Sequence, residues 1–216
     1  MLTMKLGLLA NATFETVEMV IISGLFAVAI GLPLGVYLFI TRSPHLFEKP
    51  VINKFLSIIV NIIRSIPFII LLVAITPLTR LIVGTSIGTV AAMVPLAISA
   101  IPFFARIVES ALSEVPAGLI EAALSMGASI KQIVVKILIP ESMPALIRGI
   151  TLMLITLVGY SAMAGAIGGG GLGNLAIMYG YERFEINIMI ATVVILIIMV
   201  QLFQWVGDQL AKKVTH

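Results

Sequence analysis

The sequence contains no cysteine, which excludes a disulfide framework and any thiolate metal or redox site. Charge is scarce as well: Asp, Glu, Lys and Arg make up 11% of the 216 residues, against about 25% in an ordinary soluble domain. With 60% of its residues apolar, the chain has too little polar surface to enclose its apolar mass in water. Histidine is limited to His45 and His216, and no cluster of histidines or carboxylates marks a reactive or metal centre. The G-x4-G-K-[ST] phosphate loop is missing too, so the chain is not expected to hydrolyse ATP by itself. A net charge of +3 calls for no nucleic-acid partner, because orientation in a membrane accounts for it.

What the sequence has instead is long apolar runs. Residues 19–41, 81–105, 149–181 and 186–207 carry no charge, and a fifth stretch, Phe55 to Thr79, is interrupted only by Arg64. About 20 residues of helix cross roughly 30 Å of hydrocarbon, whereas the strands of a membrane barrel would be short and alternate in polarity. The expected fold is therefore an all-α integral membrane protein with about five transmembrane helices, a single transmembrane domain over residues 1–216. A cleaved leader is not expected, since the apolar stretch Leu6–Ala12 is short and runs into Thr13, Glu15 and Glu18.

Orientation follows from the basic residues. With the amino terminus outside, segments 42–64, 106–148 and 208–216 lie inside and hold ten of the thirteen Lys and Arg residues, leaving Lys5, Arg80 and Arg183 outside. That distribution obeys the positive-inside rule and puts the carboxyl terminus in the cytoplasm.

The spans have distinct expected characters. The first is expected to begin near Glu15 and Glu18, where carboxylates suit a helix amino end, with Ala27, Gly31 and Gly35 forming a small-residue packing face and Pro33 kinking it. In the second, Arg64-Ser65-Ile66-Pro67 makes an irregular segment, and Arg64 either snorkels to the headgroups or pairs within the assembly. The third should run from about Gly84 to Phe104 with Pro95 and Pro102 inside it. The fourth should start near Gly149 and end near Ala166, before Gly168–Gly171, where glycine has high backbone entropy in a helix. Tyr179 and Tyr181 suit the membrane interface before the fifth span.

Residues 106–148 form the one extended polar connection, and here the pattern is specific. Pro116 suits a helix start, Ala117–Met126 are good helix formers, and Gly127 suits a left-handed terminus. Ser129 and Gln132 have capping-box spacing. Ile130, Ile133, Val134, Ile137 and Leu138 then recur on one face opposite Lys131, Gln132 and Lys136, up to an expected stop at Pro140. Two short amphipathic helices around a glycine corner fit either the headgroup surface or a socket on another protein.

Glu121-Ala122-Ala123, Gly127 and Ile137-Leu138-Ile139-Pro140 resemble the EAA motif of ABC importer permeases, E-A-A-x3-G-x9-I-x-L-P, with Ile139 where leucine is usual. The resemblance extends to Asn61–Phe68, Ile101–Arg106, Thr156–Met163 and the glycine-rich Gly168–Gly173, and is strongest to the methionine-importer branch of that family. It implies that 117–140 is a cytoplasmic coupling segment that docks on an ATPase, with Glu121, Ala122, Ala123, Gly127, Ile133, Ile137, Leu138 and Pro140 as its coupling residues and Ile133, Ile137 and Leu138 among them packing beneath the corner. It also implies a translocation path or external gate near Tyr160, Ser161, Met163, Gly168 and Gly171. The implied assembly, in a bacterial inner membrane, is a homodimer with two ATPase subunits that bind ATP and Mg, and an external methionine-binding lipoprotein; this chain itself would hold no cofactor and no metal. A permease for another small solute, such as phosphonate, is the alternative. An ion-coupled secondary transporter fits less well, because the four uninterrupted runs carry no ionisable group near their midpoints.

Overall fold

The computed structural model describes residues 2–42 and 46–214, and among them every regular element is helical. Ser43 and Pro44, expected just after the first span, and both histidines lie outside the described residues.

Helix α1 spans Leu2–Arg42, so the first span does not begin at Glu15 and Glu18. Its extra amino-terminal turns are held by contacts that no local pattern displays: Lys5 pairs with Glu185, and Ala12 is buried in the core. Pro33 sits inside α1 without ending it. The small-residue face does what its spacing predicts. Ala27 is fully buried, and a Cβ would lie 2.9 Å from the Ile101 carbonyl oxygen if added at Gly31, and 2.5 Å from that of Ala105 if added at Gly35. Only hydrogen at those positions lets α1 lie directly on the backbone of α5.

The second apolar stretch is broken. Helix α2 (Pro50–Ser65) and helix α3 (Phe68–Ala74) meet at a bend of 102°. The cause is local: Ile66 precedes a proline, which disfavours helical backbone there, and it adopts extended angles of φ −82° and ψ 124°. Helix α4 (Thr76–Val83) follows, closed by Gly84 at φ 83°. Gly84 therefore ends a helix rather than beginning the third span. That span is α5, Thr89–Ser113, which keeps Pro95 and Pro102 inside it and continues past Phe104. It is the central helix, with Leu96, Phe104, Val108 and Leu112 wholly buried.

Beyond α5 come α6 (Ala117–Ser125) and α7 (Ile130–Ile133). A π-helical turn, Val134–Leu138, then leads directly into α8, Ile139–Ala166. Pro140 thus does not stop the helix. A proline inside an α-helix loses a hydrogen bond and clashes with the carbonyl four residues back; here it falls in the first turn of α8, and the π turn widens the backbone just before it. The fourth span consequently starts well before Gly149 and ends at Ala166, as expected. Helix α9 (Gly171–Leu175), a second π turn (Ala176–Tyr181) and α10 (Ile186–Val214) complete the chain.

Four stretches, Lys5–Arg42, Thr89–Ser113, Ile130–Ala166 and Ile186–Val214, are each long and apolar enough to cross a membrane. The α2–α3 pair makes five crossings when counted as one bent span.

Candidate functional site

The segment expected to couple to a partner forms a compact corner. Gly127, at φ 77°, receives no side-chain crowding: a Cβ there would find nothing within 4 Å, so its backbone angle alone requires glycine. The Gly127 N–H donates to the Leu124 carbonyl at 2.9 Å and the Ala128 N–H to the Ala123 carbonyl at 3.0 Å, the two bonds of a Schellman cap. On the other side of the corner the Ser129 N–H donates to Gln132 Oε1 at 2.8 Å and the Gln132 N–H to Ser129 Oγ at 3.4 Å, completing the expected capping box. Replacing Gly127 with alanine should therefore cost about 1–2 kcal/mol through backbone strain alone, read as a lower unfolding midpoint of the purified protein with its helix content unchanged.

The corner divides its residues into two groups. Glu121, Ala122, Leu119 and Met126 are exposed, with Met126 81% accessible, whereas Ile120 and Ala123 are buried. Ile133 and Leu138 are completely buried and Ile137 is partly so. Ile133 and Leu138 therefore pack beneath the corner, as expected, and are covered within the chain itself, while Ile137 keeps part of its surface open. Pro140 is exposed at the start of α8.

At the other end of α8, Gly168 (φ 91°) ends the helix with the same pair of bonds, its own N–H to the Gly165 carbonyl at 3.2 Å and the Gly169 N–H to the Ala164 carbonyl at 2.9 Å. The glycine segment is not a loose external turn. Helix α9 folds back so closely that a Cβ on Gly173 would lie 2.4 Å from the Ala162 carbonyl oxygen, and one on Gly165 would lie 2.4 Å from the Asn174 nitrogen. Two side chains of α1 hold its start: the Gly171 N–H donates to Glu15 Oε2 at 2.6 Å and the Leu172 N–H to Thr16 Oγ1 at 2.8 Å. Gly171 is buried at φ 73°, and the Gly168 carbonyl accepts the Gly88 N–H at 2.9 Å. Glu15 is thus a clasp rather than a helix-start carboxylate. The sequence signal for it was a carboxylate inside an otherwise apolar stretch.

Between these ends the expected path residues separate. Tyr160 stacks on Phe68 with ring centroids 4.5 Å apart and 2° between the planes, linking α8 to α3. Ser161 is buried and donates to the Val158 carbonyl at 2.7 Å; it faces the core, which corrects its assignment to an open path. Met163 is 46% exposed and shares a stripe with the exposed Leu152, Gly159 and Ala166. Nearer the interface, Tyr179 lies under the Arg183 guanidinium at 4.5 Å, and Tyr181 is exposed.

The sequence reading missed a buried charge. Glu109 on α5 is almost inaccessible, yet its carboxylate pairs with Arg106 and, at 3.5 Å, with Arg42 of α1. The signal was the i, i+3 spacing of Arg106 and Glu109, hidden because α5 was expected to end before it. Among the described residues no group of His, Cys, Asp or Glu has the arrangement of a metal site.

A bundle of long apolar helices, with a capped corner at one end of α8 and a folded glycine segment at the other, fits the membrane subunit of a transporter. The family described as binding-protein-dependent transport system inner membrane component matches residues 18–216. The chain belongs to that family, and is a multi-pass inner-membrane permease subunit of the ABC type. It is 55% identical over 209 residues, 97% of this chain and 93% of the relative, to the probable D-methionine transport system permease protein MetI of Vibrio cholerae. The MetI of Escherichia coli strain K12 is 55% identical over 158 residues, 73% of either chain. An inward-facing structure of the MetNI methionine ABC transporter superposes with a TM-score of 0.92 at 50% identity, covering 98% of both chains. An amino acid ABC transporter superposes with a TM-score of 0.77 at 20% identity, a likeness of fold alone.

Proposed function

We propose that this chain is the membrane-spanning subunit of an ATP-driven importer of L- or D-methionine. It works as a homodimer with two cytoplasmic ATPase subunits and an external binding lipoprotein. The observation that carries the coupling role is the division of the corner: Leu119, Glu121, Ala122 and Met126 point outward from a helix whose opposite side is fixed in the core. A tether would need neither a Schellman cap nor a capping box, and ordering both costs conformational entropy. The methionine assignment is supported by the names of the relatives, which cover nearly the whole chain.

In this reading the amino terminus is outside, the carboxyl terminus inside, and the α2–α3 pair is the second crossing. ATP and Mg bind in the partner subunits, and this chain performs no hydrolysis of its own. Nucleotide binding draws the two ATPases together, and the α6 corners move with them. Differential contacts in the two states then shift the spans between inward and outward access. The exposed stripe of α8 with Met163 faces the path between the two copies, and the thioether offers a soft apolar wall to the substrate side chain.

Copurification followed by reconstitution tests this. Proteoliposomes holding this chain, its ATPase and its binding protein should take up methionine only when supplied with ATP. Selective uptake of a phosphonate would overturn the substrate assignment. Absence of any ATP-stimulated uptake would overturn the importer.

A further inference from the structure

Glu109 belongs neither to the outward side of the corner nor to the exposed stripe of α8, yet it is the most costly side chain in its neighbourhood to bury. Its side chain retains 6% accessibility beside two guanidiniums, and a carboxylate taken out of water is tolerated only with charged and hydrogen-bonded partners. Its two partners lie on α1 and α5, and one of them reaches on to α2. Arg42 closes α1, Arg106 lies one turn back on α5, and Arg106 Nη2 donates to the Ser57 carbonyl at 3.3 Å and Asn61 Oδ1 at 3.1 Å on α2.

The surroundings repeat the connection. Asn53 of α2 donates to the Leu38 carbonyl at 2.7 Å and to Thr41 Oγ1 at 3.0 Å on α1. Leu38, Val60 and Ala105, one from each of the three helices, form a separate small apolar core beside the charges. The position matters more than the number of bonds. Ser113, the last residue of α5, donates to the Glu109 carbonyl at 2.8 Å, so the charged cluster sits in the final turn before the chain passes to α6. On the side of the corner that precedes it in the chain, this turn is the link to the other helices, while on the far side the chain runs on into α8.

We infer that Glu109 is a positioning residue that clamps α1 and α2 to the inner end of α5, so that movement of the α6 corner is passed to all three helices as one body. A buried ion pair gives little net stability compared with apolar packing, and its distinctive contribution is to fix one arrangement among several. Here it fixes the register of α1 and α2 against the helix that carries the corner. Arg42 is the weaker arm, with its side chain 70% exposed and a single 3.5 Å contact. Arg106 is the stronger, since it spans α5 and α2 together.

The inference rests on the proposed importer function, and the test separates the two. In proteoliposomes of the full complex, Glu109→Gln should leave ATP hydrolysis in place while methionine taken up per ATP hydrolysed falls by about ten-fold, within the range of a lost coupling between sites. Glu109→Asp, which keeps the charge, should recover part of the ratio, and Asn61→Ala should lower it less than Glu109→Gln does. A ratio equal to that of the unaltered complex in Glu109→Gln overturns the clamp while leaving the importer intact. Absence of uptake by the unaltered complex overturns both. If Glu109→Gln does not assemble, Arg42→Gln serves in its place, because the Arg42 side chain is 70% exposed and leaves no buried group behind without a partner: a lowered uptake-to-hydrolysis ratio supports the clamp, and an unchanged ratio overturns it.

Discussion

Replacing Gly35 with leucine should remove most of the folded protein, lowering the unfolding midpoint by about 10 °C or more. The reason is the target of the clash. A Cβ at this position falls 2.5 Å from a backbone carbonyl oxygen of α5 and 2.6 Å from the Val108 Cβ, and neither can rotate away as the tip of a flexible side chain would. Overpacking a close-fitting core ordinarily costs about 1–3 kcal/mol, and here the two helices have to separate along their most extensive contact. Gly7→Ala on the same helix is the control, since an added Cβ there meets nothing within 4 Å and alanine is the better helix former. Its midpoint should stay level or rise. Thermal unfolding of the detergent-solubilised proteins, followed by circular dichroism, checks both; equal midpoints for the leucine variant and the unaltered protein would contradict the packing described.

The second large effect concerns function and leaves the fold alone. Changing Leu119 and Met126 together to aspartate places charge on two side chains that are 42% and 81% exposed, so the chain should fold and reach the membrane normally. Binding of the ATPase should fall by a hundred-fold or so, because burying a Leu or Met side chain contributes roughly 1.5–3 kcal/mol and each 1.4 kcal/mol is about ten-fold in affinity. Titration of labelled ATPase against the reconstituted permease measures this. Retention of full affinity would show that the corner does not dock through this side.

Much of this architecture is legible in local pattern, and the exceptions share a cause. Gly127, Ser129 and Gln132 announce the corner because caps depend on residues a few positions apart, and Ala166 ends α8 because glycines follow at once. Ala27, Gly31 and Gly35 announce a close helix contact without naming α5 as the partner. Pro140 misleads because its effect depends on the π turn before it, which no residue type specifies. Glu15 misleads for a different reason: its partner, Gly171, is 156 positions away in sequence. Ser161 misleads because successive residues of a helix are rotated by about 100°, so Ser161 faces the core while Met163, two positions on, faces the open side. The cluster of Arg42, Asn61, Arg106 and Glu109 was invisible as a whole, although each member stood in plain view, because its three helices meet only after folding.

The unbroken passage from Ile130 to Ala166 has a mechanical consequence. Its 37 residues make a beam about 55 Å long at 1.5 Å per residue, well beyond the roughly 30 Å of the hydrocarbon layer. One tip carries the corner and the other the glycine segment. If the proposed importer holds this beam near its middle in the bilayer, a push that swings the tip with the corner one way swings the tip with the glycine segment the other way. In that proposed arrangement, opposite motion at the two ends of the path would follow from the length of a single helix, with no separate signal needed between them.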